Sequence, residues 1–235
     1  MRKQHILLFF ISILCCLPVM AQKKNAINDT VPQVDTYGVR VGADLSKLVR
    51  SFLEEDYRGF EIIGDFRLTR KFYLAAEIGN ESKVWTEPYV AAKAYGSYAK
   101  IGFDFNAYDN WKGMDNAISL GLRYGFATFK EEMNYYRVYT SNPIFPSDIV
   151  YDPVTFEGLN AHWAEFILSV KTELVKNLYL SLNAQLKLKV SEKAPDNFAN
   201  LYIPGFNRTY DYSKFGVGYG YALSYRIPIV RKSRQ

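Results

Sequence analysis

Residues 214–227 read KFGVGYGYALSYRI, and their side chains alternate strictly between two kinds. Every second position, from Phe215 to Ile227, holds a large apolar or aromatic side chain. The positions between them hold glycine, alanine or serine in the middle and a charge at Lys214 and Arg226. A repeat of two residues over this length predicts a β-strand with two unlike faces. What each face meets therefore decides the fold.

The same alternation recurs along the chain and predicts eight strands, at 37–45, 58–68, 72–79, 94–106, 116–128, 161–174, 178–190 and 214–227. One face of each predicted strand carries the large apolar side chains, and apart from Arg58 at a strand end it carries no charge. The opposite face carries a predicted charge network, which consists of Arg40, Asp44, Glu61, Asp65, Arg67, Glu77, Lys100, Asp104, Arg123, Glu165, Lys171, Glu173, Lys187, Lys189 and Arg226. Because a slip by one residue would exchange the two faces, the pattern specifies the register strongly.

Two barrel architectures fit this pattern. In a soluble, lipocalin-like periplasmic barrel the apolar face would point inward around an apolar ligand, whereas in an outer-membrane barrel it would face lipid. The charged face also holds most of the strand glycines, and the interior of an eight-stranded barrel is only just wide enough for side chains. Aromatic residues collect toward strand ends, as interfacial girdles do: Tyr37, Tyr95, Phe105, Phe126, Trp163, Phe215 and Tyr225. The sequence therefore predicts an all-β fold, an eight-stranded antiparallel up-and-down transmembrane β-barrel in the cell outer membrane.

The chain ends and connections support the same prediction. Residues 1–21 combine a basic start, an apolar run and a small-residue cleavage site, which is typical of a signal peptide. Residues 22–36 are polar and are predicted to form a flexible periplasmic lead, followed by the barrel at 37–235. Short connections alternate with long ones at 46–57, 80–93, 129–160 and 191–213, and such long loops are extracellular in outer-membrane barrels.

In this pattern the chain resembles the small eight-stranded outer-membrane barrels of Gram-negative bacteria, of the OmpA and OmpX type. The ending YGYALSYRIPI, residues 219–229, also resembles an uncharacterised outer-membrane barrel family of Bacteroidota. The resemblance implies an assembly signal in the last strand, matched by Lys214, Gly216, Tyr219 and Tyr221, although the chain continues past it through Pro228. It also implies two partners, outer-membrane lipid and the barrel assembly machinery.

Enzymatic chemistry has few candidate residues in this sequence. A membrane-embedded lipid-modifying enzyme stays open as an alternative, but His162 is the only histidine after the signal peptide and its position places it on the lipid face. Ser169 and Ser181, which would have to approach it, lie on the opposite face. The only cysteines, Cys15 and Cys16, lie in the signal peptide, so we predict neither a metal site nor a cofactor, and no catalytic residue.

The long loops are the predicted location of any recognition. Exposed tyrosine and arginine are typical of binding surfaces, and the candidates are Tyr135, Tyr136, Arg137, Tyr139, Tyr202, Phe206 and Tyr210. The run at 129–160 predicts either a hairpin that extends past the membrane or a ninth and a tenth strand. The net charge of +5 is modest, so no nucleic-acid surface is expected. The sequence predicts a monomer that has a structural or surface-binding role, with an extracellular ligand as a candidate partner.

Overall fold

The computed structural model describes residues 34–108, 116–138, 148–196, 198–210 and 212–233. The predicted signal peptide and residues 22–33 of the predicted lead lie outside this range. The strands are β1 (Val34–Asp44), β2 (Tyr57–Arg67), β3 (Phe72–Glu87), β4 (Val90–Asn106), β5 (Ala117–Arg137), β6 (Ile149–Val150), β7 (Val154–Val175), β8 (Leu178–Lys193), β9 (Tyr202–Ile203), β10 (Asn207–Arg208) and β11 (Phe215–Ser233). One helix, α1 (Leu45–Leu53), follows β1. Because β1 starts at Val34, the prediction that residues 34–36 belong to a flexible lead is wrong.

Eight of the strands close into a ring by antiparallel pairing, in the order β1, β2, β3, β4, β5, β7, β8, β11 and back to β1. The first and last strands complete the ring through a register that sets Arg40 beside Arg226 and Asp44 beside Ala222. The predicted eight-stranded up-and-down barrel is therefore confirmed. No helix within the described ranges is long and apolar enough to cross a membrane.

The two faces of the barrel wall have opposite chemistry. The outward side chains form an apolar belt on residues 37–43, 60–68, 72–78, 99–105, 118–126, 164–174, 178–190 and 215–230. Leu122 and Leu182 in this belt expose 65% and 56% of their surface. Inward side chains are buried even when charged, as for Lys100 at 3% and Glu165 at 1%. Trp163 is also inward and fully buried, so its predicted place in an outer aromatic girdle is wrong.

Four strands continue past the belt and form a sheet that we call the extension, residues 79–87, 90–98, 127–137 and 154–163. The predicted long loop at 80–93 is wrong, because β3 and β4 pair up to Glu87 and Val90 and leave only a tight turn between them. The segment 129–160, predicted as a long loop that contains a hairpin or two added strands, forms a hairpin in its described part. β5 and β7 stay paired up to Met133 and Val154, and β6 adds a short pairing to Tyr136 and Arg137.

The polarity of the faces is reversed in the extension. Outward positions carry polar side chains such as Asn80, Ser82 and Thr128, whereas inward positions carry small or apolar ones such as Ala94 and Phe129. The inner surface is then covered by other parts of the chain.

Two such parts fill the mouth of the barrel. Helix α1 occupies most of the predicted loop 46–57. It is capped by Asp44, whose Oδ1 accepts hydrogen bonds from the backbone N–H groups of Ser46 (2.7 Å) and Lys47 (3.3 Å). The second part is residues 198–209, which we call the plug and which contain β9 and β10. Ile203 and Phe206 of the plug are buried in a cluster with Tyr98, Phe129 and Trp163 and their neighbours. The predicted exposed loop at 191–213 is therefore partly wrong, because its centre folds into the mouth.

Candidate functional site

The lumen of the barrel contains groups of buried ion pairs. Asp65 bridges Arg40 and Lys171 at 2.7 Å each. Arg123 contacts Asp104 at 2.7 Å and Glu77 at 3.4 Å. A buried charge needs such partners, and the network supplies them across strands that are distant in sequence.

Lys100 connects a second set of carboxylates at the centre of the lumen. Its Nζ lies 2.6 Å from Glu77, 3.4 Å from Glu61 and 3.8 Å from Glu165. A cavity of about 60 Å³ remains beside the network. That volume holds only a few water molecules, since each needs about 10–15 Å³.

The remaining residues of the predicted network lie at the two ends of the lumen. At the end with the short turns, Arg67 donates to the carbonyl of Thr69 at 3.2 Å, and Arg226 lies 3.7 Å from Glu173. At the mouth, Asp44 caps α1, Lys189 pairs with Glu192, and Lys187 is buried. The structure thus places the predicted charge network on the inward face and brings its central members together.

A second polar centre, which the sequence analysis missed, lies at Glu81 in the extension. Its carboxylate is fully buried and pairs with Lys47 of α1. It also accepts hydrogen bonds from the hydroxyls of Tyr57 (3.1 Å) and Tyr202 (2.7 Å) and from the backbone N–H of Gly205 (2.9 Å). Glu81 therefore ties the barrel wall, the helix and the plug together.

The electrostatics of this centre favour the charged carboxylate. Burial alone would raise the pKa of Glu81, but attraction to Lys47 and the hydrogen bonds from Gly205, Lys47 and Tyr202 outweigh it and lower the pKa to about 2. Glu81 therefore stays ionised and keeps its four partners over the whole neutral range.

Gly205 is the point at which the plug is held from both sides. Its carbonyl accepts a hydrogen bond of 2.7 Å from Lys187 Nζ, while its N–H donates to Glu81. Its φ of +80° lies in the left-handed region, and the ring of Tyr98 lies where a Cβ would be placed, with Cγ at 2.6 Å. Both the backbone conformation and the contact require glycine here.

Glu131, also in the extension, is buried and has no cation beside it among the described residues. One carboxylate oxygen accepts a 3.3 Å hydrogen bond from the backbone N–H of Leu201, and the other has no partner among the described residues. Burial raises the pKa of Glu131 to about 7, with repulsion from Glu192 adding to the effect and the hydrogen bond from Leu201 opposing it. This carboxyl group therefore titrates near neutral pH.

Sequence reasoning missed Glu81 and Glu131 because both lie in segments predicted to be loops. The available signal was an alternation that continues with its polarity reversed, as in Ala92, Ala94 and Gly96 on the inward face of β4.

The candidate catalytic residues of the alternative enzyme lie on opposite faces of the wall. His162 points outward, where its Nδ1 lies 2.7 Å from the hydroxyl of Tyr124 and its ring packs 4.7 Å from that of Phe126. Ser169 points into the lumen, where its Oγ lies 2.7 Å from that of Ser119. Ser181 is also inward and buried. Within the described ranges, no group of three or more His, Cys, Asp or Glu residues forms a cluster suited to a metal ion.

The candidate binding residues of the loops fall into two groups. Tyr202 and Phe206 are buried in the plug at 4% and 2% exposure, so the prediction that they form an exposed surface is wrong. Tyr135, Tyr136 and Arg137 lie at the end of β5, where the hydroxyl of Tyr135 donates to the carbonyl of Glu87 at 3.0 Å. Tyr139 lies outside the described residues.

Tyr210 belongs to a row of three aromatic side chains and one arginine that we call the rim, formed by the half-buried Trp85 and the exposed Arg208, Tyr210 and Tyr212. The Arg208 guanidinium lies 4.6 Å from the Trp85 ring and 5.2 Å from the Tyr210 ring. The Tyr210 and Tyr212 rings are 5.5 Å apart, and Tyr212 is 87% exposed. The rim combines the side chains that are enriched at protein interfaces.

A family model described as "Domain of unknown function (DUF6048)" matches residues 1–232. The chain belongs to this family. No curated protein matches it. Among solved structures it is similar to the crystal structure of Ail, the attachment invasion locus protein of Yersinia pestis, with 9% sequence identity, a TM-score of 0.39 and coverage of 84% of this chain and 100% of that chain.

In this DUF6048 chain, Lys214 of the predicted assembly signal directly precedes β11, and Gly216, Tyr219 and Tyr221 lie in the half of β11 near the mouth. Tyr219 and Tyr221 point outward and Gly216 points inward, next to the ring of Phe206. β11 continues to Ser233, beyond the predicted strand end at Ile227.

Proposed function

We propose that this chain is a monomeric outer-membrane β-barrel with a structural or surface-binding role, and that it is not an enzyme. The observation that carries the proposal is the distribution of polarity across the wall. Apolar side chains such as Ile101, at 57% exposure, face outward, while Lys100 and its carboxylates are buried inside. Water would leave the belt exposed, whereas lipid solvates it.

The closed lumen supports a role other than permeation. The ion pairs of Lys100 and Arg123 fill the middle of the lumen, and the plug covers its mouth through Glu81 and Lys187. The separation of His162 from Ser169 across the wall supports a non-enzymatic role.

The rim is the proposed binding surface, with an extracellular macromolecule as the partner. Arg208 and Tyr212 are exposed at the end of the barrel opposite the short turns. In the proposed orientation that end lies outside the cell, because long connections are extracellular in outer-membrane barrels.

Two measurements test the proposal. The first is fractionation of the outer membrane followed by gel electrophoresis with and without boiling, for which we expect outer-membrane recovery and a change in migration on heating. Recovery in the soluble periplasm without a change in migration would overturn the proposal.

The second measurement uses single cysteines, since the only cysteines of the chain lie in the predicted signal peptide. Tyr212→Cys at the rim is expected to react with a membrane-impermeant maleimide in intact cells. The control, Lys176→Cys in the exposed β7–β8 turn, is expected to react only after permeabilisation. The reverse pattern would place the rim in the periplasm and overturn its proposed role.

A further inference from the structure

The barrel wall has a gap between β1 and β11 near the mouth. The last residue pair between these strands is Asp44 with Ala222, while β11 continues along β8 to Phe215. Within the described ranges, no strand pairs with the other edge of residues 215–221. Asn207 of the plug donates a side-chain hydrogen bond of 3.4 Å to the Val217 carbonyl.

Helix α1 fills this gap unevenly. On the side of β2, the Ser51 hydroxyl accepts a hydrogen bond from the N–H of Gly59 (2.7 Å) and donates one to its carbonyl (3.1 Å), so the helix seals that edge. On the side of β11 a cavity of about 190 Å³ remains. It is lined by Lys47, Arg50, Lys187, Asn207, Gly218 and Tyr219, together with Asp44, Ser46, Gln185 and Val217.

The charges around the cavity favour an anion. Lys187 is 1% exposed, and its only hydrogen bond within the described residues goes to the neutral Gly205 carbonyl. No carboxylate of the described chain lies within 4.0 Å of its ammonium nitrogen. Glu165 and Glu81 attract this ammonium only from beyond ion-pair distance. A buried ammonium without a close counterion is costly, so an anion in the cavity would stabilise it.

The other charged groups of the cavity already have partners. Lys47 pairs with Glu81, and Arg50 lies 2.9 Å from Glu54. The Asp44 carboxylate accepts the N–H groups at the start of α1. Lys187 is therefore the cation around which a ligand site is built.

The outer edge of the cavity is apolar. Val217 and Tyr219 of β11 expose 74% and 76% of their surface, and they belong to the belt. On α1, Val49, Phe52 and Leu53 form an outward stripe, with Phe52 at 89% exposure. A ligand that reaches the cavity from this side would lay acyl chains along these residues.

We propose that the cavity between α1 and β11 binds the phosphate-bearing head group of an anionic membrane lipid, which enters sideways through the gap in the wall. Lys187 contacts the phosphate, Asn207 and the N–H groups of the free β11 edge offer further donors, and the acyl chains stay outside along the belt. The inference rests on the membrane location proposed above.

The test uses the full folded chain in phosphatidylcholine vesicles, with spin-labelled phosphatidylglycerol or phosphatidylcholine of the same chain length as the probe. We expect a motionally restricted fraction of label that favours phosphatidylglycerol. Loss of one charge-assisted contact in Lys187→Gln should reduce that preference about fivefold or more, and Lys187→Arg should retain it. Lys189→Gln is the matched control, because Lys189 lies on the same strand face and pairs with Glu192.

A second variant tests the site without removing a charge. A Cβ at Gly218 would lie 2.6 Å from Gln185 Oε1 and 3.3 Å from Lys187 Nζ, at the ends of flexible side chains. Gly218→Val should therefore fold, fill the cavity and abolish the preference. If Lys187→Gln does not fold, the lipid preference of Gly218→Val still shows whether the cavity is the binding site.

Each alternative result has a definite meaning. An equal preference in the wild type, Lys187→Gln and Gly218→Val would overturn the proposed site. Displacement of the labelled lipid by inorganic phosphate alone would show that the site binds a free anion, and the proposed lipid ligand would be wrong. If the chain showed no heat-dependent change in migration after vesicle insertion, the membrane location itself would be wrong, whereas a normal change without lipid preference would overturn only this inference.

Discussion

At the scale of the single residue, Glu131 is a carboxyl group whose surroundings favour its neutral form. Its pKa is raised from an ordinary 4.5 to about 7, so the folded protein holds the proton more tightly than the unfolded chain does. Stability is therefore unaffected below about pH 4.5, falls as the pH rises toward 7, and stays lower above it. The full shift corresponds to roughly 3 kcal/mol.

The first prediction follows from this sign. Glu131→Gln keeps the neutral form at every pH, so it should raise the midpoint of the heat-dependent migration change at pH 8 and leave it nearly unchanged at pH 4.5. Glu157→Gln, at an exposed carboxylate 2.6 Å from Lys130, serves as the control and should show no such gain. A gain for Glu131→Gln of the same size at both pH values would contradict the raised pKa.

The second prediction at this scale distinguishes two causes of instability, the strain of a positive φ and the steric overlap of an added Cβ. Gly205 and Gly158 both have positive φ, +80° and +67°. A Cβ at Gly205 would overlap the Tyr98 ring, whereas at Gly158 the nearest atom lies 4.0 Å away. Gly158→Ala should cost about 1–2 kcal/mol of stability from strain alone, and Gly205→Ala should cost clearly more. If thermal unfolding showed the same loss of stability for both variants, the Tyr98 ring would be able to move away from the new Cβ without an energetic cost.

At the scale of the element, the plug is held by an apolar cluster around Ile203 and Phe206 and by a few polar contacts, rather than by strand pairing with the barrel wall. Glu81 accepts hydrogen bonds from Tyr202 and Gly205 and pairs with Lys47. The low pKa of Glu81 means that this contribution is present above its ordinary 4.5 and is lost only as the pH falls toward about 2.

The third prediction concerns the release of the plug. Glu81→Gln removes the negative charge but keeps the shape, so hydrogen exchange at Gly205 and Phe206 should become at least tenfold faster, because a charge-assisted contact contributes about 1.5–3 kcal/mol. Amides in the belt of β5, such as that of Leu122, should keep their wild-type exchange rates. Faster exchange throughout the barrel would mean that Glu81 supports the whole fold instead of the plug.

The strands also show which parts of the fold could be predicted from the sequence alone. Along the belt one side of the wall carries exposed apolar side chains and the other side carries packed charges, so strict alternation located every barrel strand, including β11 around Tyr219 and Leu223. In the extension the outward face is mainly polar, and the inward face combines small or apolar side chains with the buried Glu81. Ala94 and Phe129 became recognisable as inward only once the plug was seen to cover them. The burial of Tyr202 and Phe206 depends on long-range contacts with Glu81 and Trp163, which no local pattern encodes.

At the scale of the whole molecule, the barrel inverts the usual arrangement of apolar inside and charged outside. Its interior is held by ion pairs such as Arg40 with Asp65, and its exterior depends on the solvent that it meets. In the proposed membrane location the same outward face meets lipid along the belt and water along the extension, so the tolerance to charge should change at the boundary between them. Leu182 and Thr128 lie on either side of that boundary, and both point outward.

The last prediction uses this pair. Leu182→Arg places a charge in the belt and should cost about 2–4 kcal/mol if the site lies near the midplane of the bilayer, so assembly into the outer membrane should fall sharply. Thr128→Arg introduces the same side chain on the same face of the extension and should assemble normally. The measurement is the amount of heat-shifting protein recovered from the outer membrane. If both variants assembled equally well, the belt would not be in contact with lipid at Leu182, and if both failed, the boundary would lie beyond Thr128.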